Sequence, residues 1–261
     1  MVPIGYAEHA PPPDLASTVA CFWTRIPPPN VGVHAGLLHR VLPDGCVDII
    51  IGFSHADAEA VDLMAVGTMT RPLILRGEAA DMHIGVRFRP GHAYAAFGLP
   101  AEELTDDRVD FDQLARGDRR TIHDIAAERT HAGRLELLVR LVRERIAAAP
   151  SVPASVRRAV RAIAVDHGNV RVAGLAADIG ITRQQLARQF AMHVGVSPKT
   201  FARVMRTRAA VARADAARAA HPREIDWSAI AYDLGYYDQP HFIEDFKAIT
   251  GSTPGQWFVG P

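Results

Sequence analysis

The stretches LAADIGITRQQLARQFAMHVGVSPKTF (175–201) and IAYDLGYYDQPHFIEDFKAITGSTPGQW (230–257) carry the same succession of small, glycine, apolar and aromatic residues. Seven positions of the same physical type recur at nearly constant spacing, which predicts a duplicated supersecondary unit. One residue is inserted in the second copy just after its first glycine, where a turn can absorb it. The matched pairs are Ala176 with Ala231 and Gly180 with Gly235 at an offset of 55 residues, and Leu186 with Phe242, Phe190 with Phe246, Gly195 with Gly251, Pro198 with Pro254 and Phe201 with Trp257 at an offset of 56.

Each copy has the pattern of a helix, a tight turn and a second helix. In the first copy, Gly180 suits the left-handed residue that ends a helix, and Thr182 is a preferred N-cap for a helix through His193. Leu186 and Phe190 are four residues apart, so they share the inward face of that helix. Arg can pair with guanine and Gln with adenine in the major groove, so the outer face suits base recognition. That outer face comprises Arg183, Gln184, Gln185, Arg188 and Gln189.

A long helix rich in Ala and Arg is predicted between the two copies, over residues 198–220. About 22 residues at about 1.5 Å each give roughly 33 Å. This length is close to the ~34 Å that separates successive major grooves on one face of B-DNA. His221 and Pro222 end the helix, and Asp226 is expected to cap the next one.

The net charge of zero hides a difference between the two parts of the chain. Residues 1–150 hold 15 Arg, no Lys and 20 acidic residues, whereas residues 151–261 hold 14 basic and 9 acidic residues. Between 152 and 220, 12 basic residues stand against three acidic ones. This asymmetry indicates a nucleic-acid-binding domain beside a domain with another task. A chance fluctuation in composition or a solvated helix face is the alternative explanation of the basic stretch.

The segments LAADIGIT, RQQLARQF, GVSPKTF, IAYDLGYYDQPHFIEDFK and TGSTPGQW resemble the DNA-binding domain of AraC/XylS transcriptional regulators, over residues 155–261. The resemblance implies two helix-turn-helix units joined by a long helix, with Gln184, Ala187 and Arg188 facing bases. The residues expected to contact DNA are Thr182, Arg183, Gln184, Gln185, Ala187, Arg188, Lys199, Gln239, His241 and Glu244.

The second unit departs from the family pattern. Glu244 stands where a basic residue is frequent, Asp245 lies beside it, and Pro240 is early in the helix. A Glu can accept a hydrogen bond from cytosine N4, but two carboxylates near phosphates repel them. We therefore expect the second unit to bind more weakly, or mainly to orient the domain.

The N-terminal part has the pattern of a β domain followed by helices. CVDIIIGF (46–53) and MHIGVRFRP (82–90) are typical of strands, and frequent turn signals favour a barrel or sandwich. Helices are predicted at 92–97, 118–131 and 134–148. The last of them carries an apolar stripe that needs cover, either within the chain or in a dimer: Leu135, Leu138, Val139, Val142 and Ile146.

HRVLPDGCVDIII (39–51) and GVRFRPGHAYAAFGLPAEELTDDRVDFDQL (85–114) resemble the cupin-like regulatory domain of the same family. The resemblance implies a small β-barrel that binds a ligand or partner. The expected class is α+β with two domains. The predicted division is a cupin-like domain over 1–117, linker or dimerisation helices over 118–150, and an all-α DNA-binding domain with two helix-turn-helix motifs over 151–261.

Arginines on one face of a strand are the main candidates for effector binding. In 82–90 the apolar residues alternate with His83, Arg87 and Arg89. An Arg inside a barrel suits a carboxylate or phosphate ligand, whereas an Arg facing solvent is an ordinary surface residue. The aromatic residues Trp23, Phe53 and Phe88 are more typical of a core. The effector candidates are Arg87, Arg89, Trp23 and His39.

Motifs for catalysis and metal binding are missing from the sequence. It has no His-x-His, CxxC or HExxH spacing, GFSHA (52–56) is not a nucleophile elbow, and no Gly-rich phosphate loop occurs. We therefore predict no catalytic residue, no metal and no cofactor, although distant residues can assemble a metal site in a barrel. Cys21 and Cys46 are either buried small hydrophobes or a redox pair.

The chain is therefore expected to be a bacterial, cytoplasmic transcription regulator, not an enzyme. Expected partners are double-stranded DNA, RNA polymerase, a small-molecule effector and a second copy of the chain. A membrane is not expected, because no run of 18 apolar residues occurs. Two alternatives stay open: a cupin-type metal-dependent enzyme or small-molecule-binding protein with a helical appendage, and a DNA-binding module whose N-terminal domain only oligomerises.

Overall fold

The computed structural model describes residues 5–26, 38–53, 61–76, 82–110, 118–220 and 225–258. These residues form an antiparallel sheet domain followed by a helical domain, which confirms the predicted two-domain α+β class. Within these ranges, no helix combines the length and the hydropathy needed to cross a membrane.

The N-terminal domain contains eight described strands: β1 (Tyr6–His9), β2 (Val19–Arg25), β3 (Leu38–Val41), β4 (Val47–Phe53), β5 (Val61–Val66), β6 (Leu73–Arg76), β7 (Met82–Phe88) and β8 (Arg108–Asp110). Six of them form one sheet in the order β1-β2-β7-β4-β5-β8, and β3 pairs with β6 in a separate two-stranded sheet. All of these pairings are antiparallel.

The predicted alternation in β7 is present. Met82, Ile84, Val86 and Phe88 are buried in the core of the domain, as expected for one face of a half-buried strand. The strand ends at Phe88, so Arg89 lies just outside it.

After β7 come α1 (Ala93–Phe97) and a short 3-10 turn (Ala101–Leu104), and after β8 come α2 (Arg119–Ala127) and α3 (His131–Ala148). The apolar stripe of α3 is covered within the chain, because Leu138 and Val142 are buried in the core of the sheet and Leu135, Val139 and Ile146 pack around them. Helices α2 and α3 are thus packed onto the N-terminal domain, where the sequence suggested a linker or dimerisation segment. The domain boundaries at 117 and 150 stay predictions.

The C-terminal domain is helical: α4 (Ala154–Val165), α5 (Val172–Ile179), α6 (Arg183–His193), α7 (Pro198–Ala220), α8 (Trp227–Asp233), α9 (Gln239–Thr250) and a 3-10 turn, Pro254–Gln256. We call α5 with α6 the first unit and α8 with α9 the second unit. The long helix α7 joins them and contributes to two separate cores. Phe201 and Ala202 pack in the core of the first unit, and Ala210 and Ala214 pack in the core of the second.

The repeat seen in the sequence is a repeat of backbone geometry. Gly180 and Gly235 both adopt left-handed conformations, with φ of 84° and 72°. The residue after each glycine donates a backbone hydrogen bond to the matched alanine, Ala176 in one unit and Ala231 in the other. The N-cap of α6 comes two residues after its glycine and the N-cap of α9 comes three after, so the turn holds the inserted residue.

Candidate nucleic-acid interface

A cleft of about 1040 Å³ lies between the two units. The N-terminal ends of α5, α6 and α7 line it, together with side chains of α9. Helix N-termini carry partial positive charge and free N–H groups, so they favour phosphate. Six of the ten residues predicted to contact DNA line this cleft: Thr182, Arg183, Gln184, Ala187, Lys199 and His241.

The other four predicted residues, Gln185, Arg188, Gln239 and Glu244, lie outside the cleft on the two second helices. All ten residues are exposed to solvent, as a DNA-reading surface requires. Their individual contacts to DNA stay predictions.

A capping box fixes the start of α6. The Thr182 hydroxyl accepts a hydrogen bond from the Gln185 N–H at 3.1 Å, and the Gln185 side-chain oxygen accepts one from the Thr182 N–H at 2.9 Å. The predicted N-cap is therefore present. The side-chain oxygen of Gln185 is held at the helix start, where the sequence suggested base contact. Gln189, expected on the exposed face, is half-buried and accepts from the Ser155 hydroxyl at 2.6 Å.

The two acidic neighbours on α9 have different surroundings. Glu244 is exposed, whereas Asp245 is only 4% exposed and its Oδ1 accepts from Arg203 Nε at 2.7 Å. The expectation that both carboxylates repel DNA is wrong for Asp245, because α7 supplies a cation that pairs with it. Of the two carboxylates, Glu244 is the one that would repel DNA phosphates. The carboxylate of Asp238 caps α9 by accepting from the His241 N–H at 2.9 Å.

Three arginines that line the cleft are missing from the residues predicted by sequence: Arg171, Arg203 and Arg206. Arg171 is exposed at the start of α5. Arg206 donates to the Gly168 carbonyl at 2.8 Å and stacks over the ring of Tyr236. Residues 199, 203 and 206 lie four and three apart, so the helical period of α7 is a signal that places them on one face.

The polar face of the N-terminal sheet holds Arg87 in a network of ion pairs. Its Nε lies 3.3 Å from Asp48 Oδ2 and 3.8 Å from Asp44 Oδ2, and Trp23 Nε1 donates to Asp48 Oδ1 at 3.0 Å. Burial opposes the charged form of Arg87, yet Asp48 and Asp44 raise its pKa above the usual value. Burial raises the pKa of Asp48 and Arg87 offsets part of that rise. An anionic ligand would have to compete with these carboxylates.

Of the other effector candidates, Trp23 shares the Arg87 network, whereas Arg89 does not. Trp23 is 7% exposed and joins the network through Asp48. Arg89 is exposed and its Nε donates to the Ala16 carbonyl at 3.0 Å, outside the strand. The backbone of His39 lies in β3, and its side chain lies outside the part of the chain that the structure describes.

The two cysteines are free thiols, with Cys21 buried and Cys46 half-buried. Burial raises the pKa of Cys21 to about 11 and also raises the pKa of Cys46, so neither is a thiolate near neutral pH. Among the described residues, no three His, Cys, Asp or Glu side chains come together as metal ligands.

Comparison with known proteins gives two family matches. Residues 175–259 match a family described as a helix-turn-helix domain, and residues 7–110 match one described as a domain of unknown function (DUF6597). No curated protein sequence matches the chain.

Similar solved structures include three of ToxT from Vibrio cholerae. One is 9% identical with a TM-score of 0.42, covering 85% of this chain and 95% of that one. An apo variant is 11% identical with a TM-score of 0.44, covering 92% and 97%. The form bound to an unsaturated fatty acid is 10% identical with a TM-score of 0.40, covering 84% and 88%.

The match over residues 175–259 coincides with the repeated helix, glycine turn and capped helix, so the resemblance inferred from the sequence is confirmed. The C-terminal region of this chain matches a helix-turn-helix domain family over residues 175–259, in agreement with the resemblance to the DNA-binding domain of AraC/XylS regulators.

Proposed function

We propose that the protein is a sequence-specific DNA-binding transcription regulator of the AraC type, controlled through its N-terminal domain. The cleft between the two units carries this proposal. It brings six predicted DNA-contacting residues together with Arg171 and Arg206, beside the N-terminal ends of α5, α6 and α7. Arg203 also lines the cleft but is paired with Asp245. This combination of cations and helix N-termini suits a phosphate backbone.

Affinity and sequence choice would come from different groups in this arrangement. Arg171, Arg183 and Lys199 are exposed around the cleft and would neutralise phosphates, which gives affinity without sequence information. Gln184 and Arg188 are exposed on α6, where side chains can reach base edges in the major groove. The second unit would enter the neighbouring groove through the exposed side of α9.

Control through the N-terminal domain would use the polar face of its sheet. We place effector binding around Trp23 and Arg87, with Arg89 and His39 as the further candidates. An anionic effector would compete with the Asp48 carboxylate for the Arg87 guanidinium. A ligand changes the DNA-binding state only if it binds one conformation of the protein more tightly than the other. A homodimer is a second route of control. The apolar stripe of α3 is covered within the chain, so a dimer would need another surface.

RNA polymerase is the proposed protein partner, and the cytoplasm the proposed place of action. Both follow from the proposed role in transcription.

Binding of the full chain to duplex DNA over a series of salt concentrations tests the proposal. Each phosphate contact should contribute about −0.9 to the slope of log affinity against log salt. The double variant Arg183→Gln/Lys199→Gln should therefore bind more weakly and with a shallower slope. Selection from a random duplex pool would then yield the preferred sequence.

The matched control is Arg119→Gln/Arg120→Gln, which removes the same charge from exposed positions on α2. It should leave affinity and slope nearly unchanged. Equal weakening by both double variants would mean that net charge, and not the cleft, controls binding. A wild-type chain with no salt-dependent binding to any duplex would overturn the proposal.

A further inference from the structure

The N-terminal domain contacts the two units at equivalent positions of the repeat. Gly195 and Gly251 end the second helix of each unit, both with positive φ, and both pack against the N-terminal domain. Phe201 and Trp257 are also matched in the repeat, and each of them meets the N-terminal domain too. In both units, the glycine after the second helix and the aromatic residue that follows it thus contact the N-terminal domain.

The contact to the first unit is made by turns that flank the six-stranded sheet. The Thr68 hydroxyl donates to the Val194 carbonyl at 2.6 Å, and the Thr105 hydroxyl donates to the Gly195 carbonyl at 2.5 Å. A side chain at Gly195 would come within 3.0 Å of the Ala101 carbonyl oxygen, so the approach is close. These hydroxyls hold carbonyl groups at the end of α6, where helices leave acceptors unpaired.

Asp106 ties the two threonine-bearing turns to each other. Its carboxylate accepts from the Thr70 N–H at 2.7 Å and from the Thr70 hydroxyl at 2.5 Å. Its own N–H donates to the Thr68 carbonyl at 3.0 Å. Asp106 adopts φ of 59°, a left-handed conformation that is uncommon outside glycine. The two turns therefore form one connected surface against the first unit.

The contact to the second unit is made by the two-stranded sheet. Arg40 of β3 donates to the Ser252 hydroxyl at 2.9 Å, and its guanidinium lies 5.5 Å from the ring centre of Trp257. Pro72, next to β6, lies 3.0 Å from the position that a side chain at Gly251 would occupy. The first unit is therefore contacted by turns beside the six-stranded sheet, and the second unit by the two-stranded sheet.

We propose that the N-terminal domain is a brace that sets the relative placement of the two recognition helices, α6 and α9. A movement of the two-stranded sheet against the six-stranded sheet would change that placement without any contact to DNA. This deepens the proposed function by naming how the N-terminal domain would control DNA reading. The long helix α7 acting alone is the rival account of the placement.

A distance measurement between spin labels on the two recognition helices tests the brace without DNA. Arg188→Cys and Glu244→Cys place labels at matched, exposed positions of the full chain, in a Cys21→Ala/Cys46→Ala background. Double electron–electron resonance then gives the distance distribution. Adding Thr68→Val/Thr105→Val should shift and broaden this distribution, because it removes the hydrogen bonds from Thr68 and Thr105 to the first unit. Adding Arg40→Ala should also shift and broaden the distribution, because it removes the contacts of Arg40 with Ser252 and Trp257 in the second unit.

Three controls separate the brace from general damage to the fold. Thr68→Ser/Thr105→Ser keeps both hydroxyls and should keep the original distribution. Thr121→Val and Arg120→Ala make comparable changes on α2 and should also leave it unchanged. An original distribution in both the Thr→Val and the Arg40→Ala proteins, each still melting cooperatively, would overturn the brace in favour of α7. DNA binding by the wild-type chain is measured separately, so the proposed function stands or falls on its own.

Discussion

The two helix-turn-helix units share a backbone and differ in almost everything exposed on it. Their glycine turns match in conformation, with φ of 84° and 72° after the first helix and 89° and 77° after the second. Yet the stretch 175–201 has three basic residues and one acidic one, whereas 230–257 has one basic residue and four acidic ones. The glycine turns and the apolar core positions are matched between the two units, whereas the charged residues differ.

The contrast is sharpest at three matched positions of α6 and α9. Arg188, Gln189 and His193 of the first unit correspond to Glu244, Asp245 and Ile249 of the second. A shared fold therefore does not imply a shared contribution to DNA binding. We expect the first unit to supply most of the affinity and sequence choice, and the second to orient the domain.

The largest expected effect concerns the two cores. Phe190→Ala and Phe246→Ala both empty fully buried sites and should each cost about 3–5 kcal/mol of unfolding free energy. Phe246 should cost more, because its ring meets Trp227, Phe242 and Trp257, whereas Phe190 meets only Phe201 among the ring contacts of the described residues. Urea unfolding measures the loss.

Hydrogen exchange locates the same damage. Because the cores are separate, Phe190→Ala should expose amides of α5 and α6 and leave those of α8 and α9 protected. Loss of protection in both units from either substitution would show that they form one cooperative body.

The next effect tests how each recognition helix is held. Asp245→Ala should cost about 1.5–3 kcal/mol, because it leaves Arg203 without its charged partner. Gln189→Ala removes only a neutral hydrogen bond with Ser155 and should cost about 0.5–1.5 kcal/mol. Thermal unfolding of the two variants measures the difference. Equal costs would mean that the α7–α9 ion pair adds nothing beyond a hydrogen bond.

Asp245 also illustrates which contacts cannot be predicted from the sequence. The repeat predicted the two units, N-cap preference predicted the caps at Thr182 and Asp226, and composition predicted the long helix, because all of these are local properties of the sequence. The partner of Asp245 lies 42 residues away in the chain. From the sequence alone, the carboxylate of Asp245 is therefore expected to repel DNA phosphates. The fold shows that it is paired with Arg203.

In the N-terminal domain, too, local sequence patterns predict the strands but not the contacts between distant residues. The strand 82–88 and its buried face follow from alternation, but the neutralisation of Arg87 by Asp48 depends on which strands pair. The contacts of Thr68 and Thr105 with α6 join residues 126 and 90 positions apart. Their sequence surroundings carry no signal for such a contact.

Arg188 tests the expected dominance of the first unit in DNA reading. Arg188→Ala should cost about 1–3 kcal/mol on the preferred duplex and relax the choice of one base pair. It should cost less on a scrambled duplex, where only phosphate contacts remain. Titration of both duplexes measures the difference. The same loss on both would make Arg188 a phosphate contact, and no loss on either would place the reading surface elsewhere.

Acid should weaken the first unit, and the neighbouring turn of the N-terminal domain that carries His92, more than the second unit. Burial lowers the pKa of His193, which packs against Tyr94, and lowers the pKa of His92 to about 4 beside Arg157 and Arg89. The unfolded chain takes up protons near pH 6.5 before the folded one does. Stability is therefore lost as the pH falls from about 6.5 towards 4. His193→Ile copies the second unit and should reduce the loss, measured as the urea midpoint at pH 7 and pH 5. An unchanged pH dependence would remove His193 as a cause.

Glu244 should give the smallest effect, and it tests the second unit directly. Glu244→Gln removes an exposed negative charge near the expected phosphates, so it should raise affinity by about 0.2–1 kcal/mol on preferred and scrambled duplexes alike. Glu144→Gln removes the same charge from the exposed side of α3 and serves as the control. A gain with both variants would reflect net charge alone. If Glu244→Gln weakens binding on the preferred duplex only, Glu244 accepts a hydrogen bond from a base, and the second unit reads sequence after all.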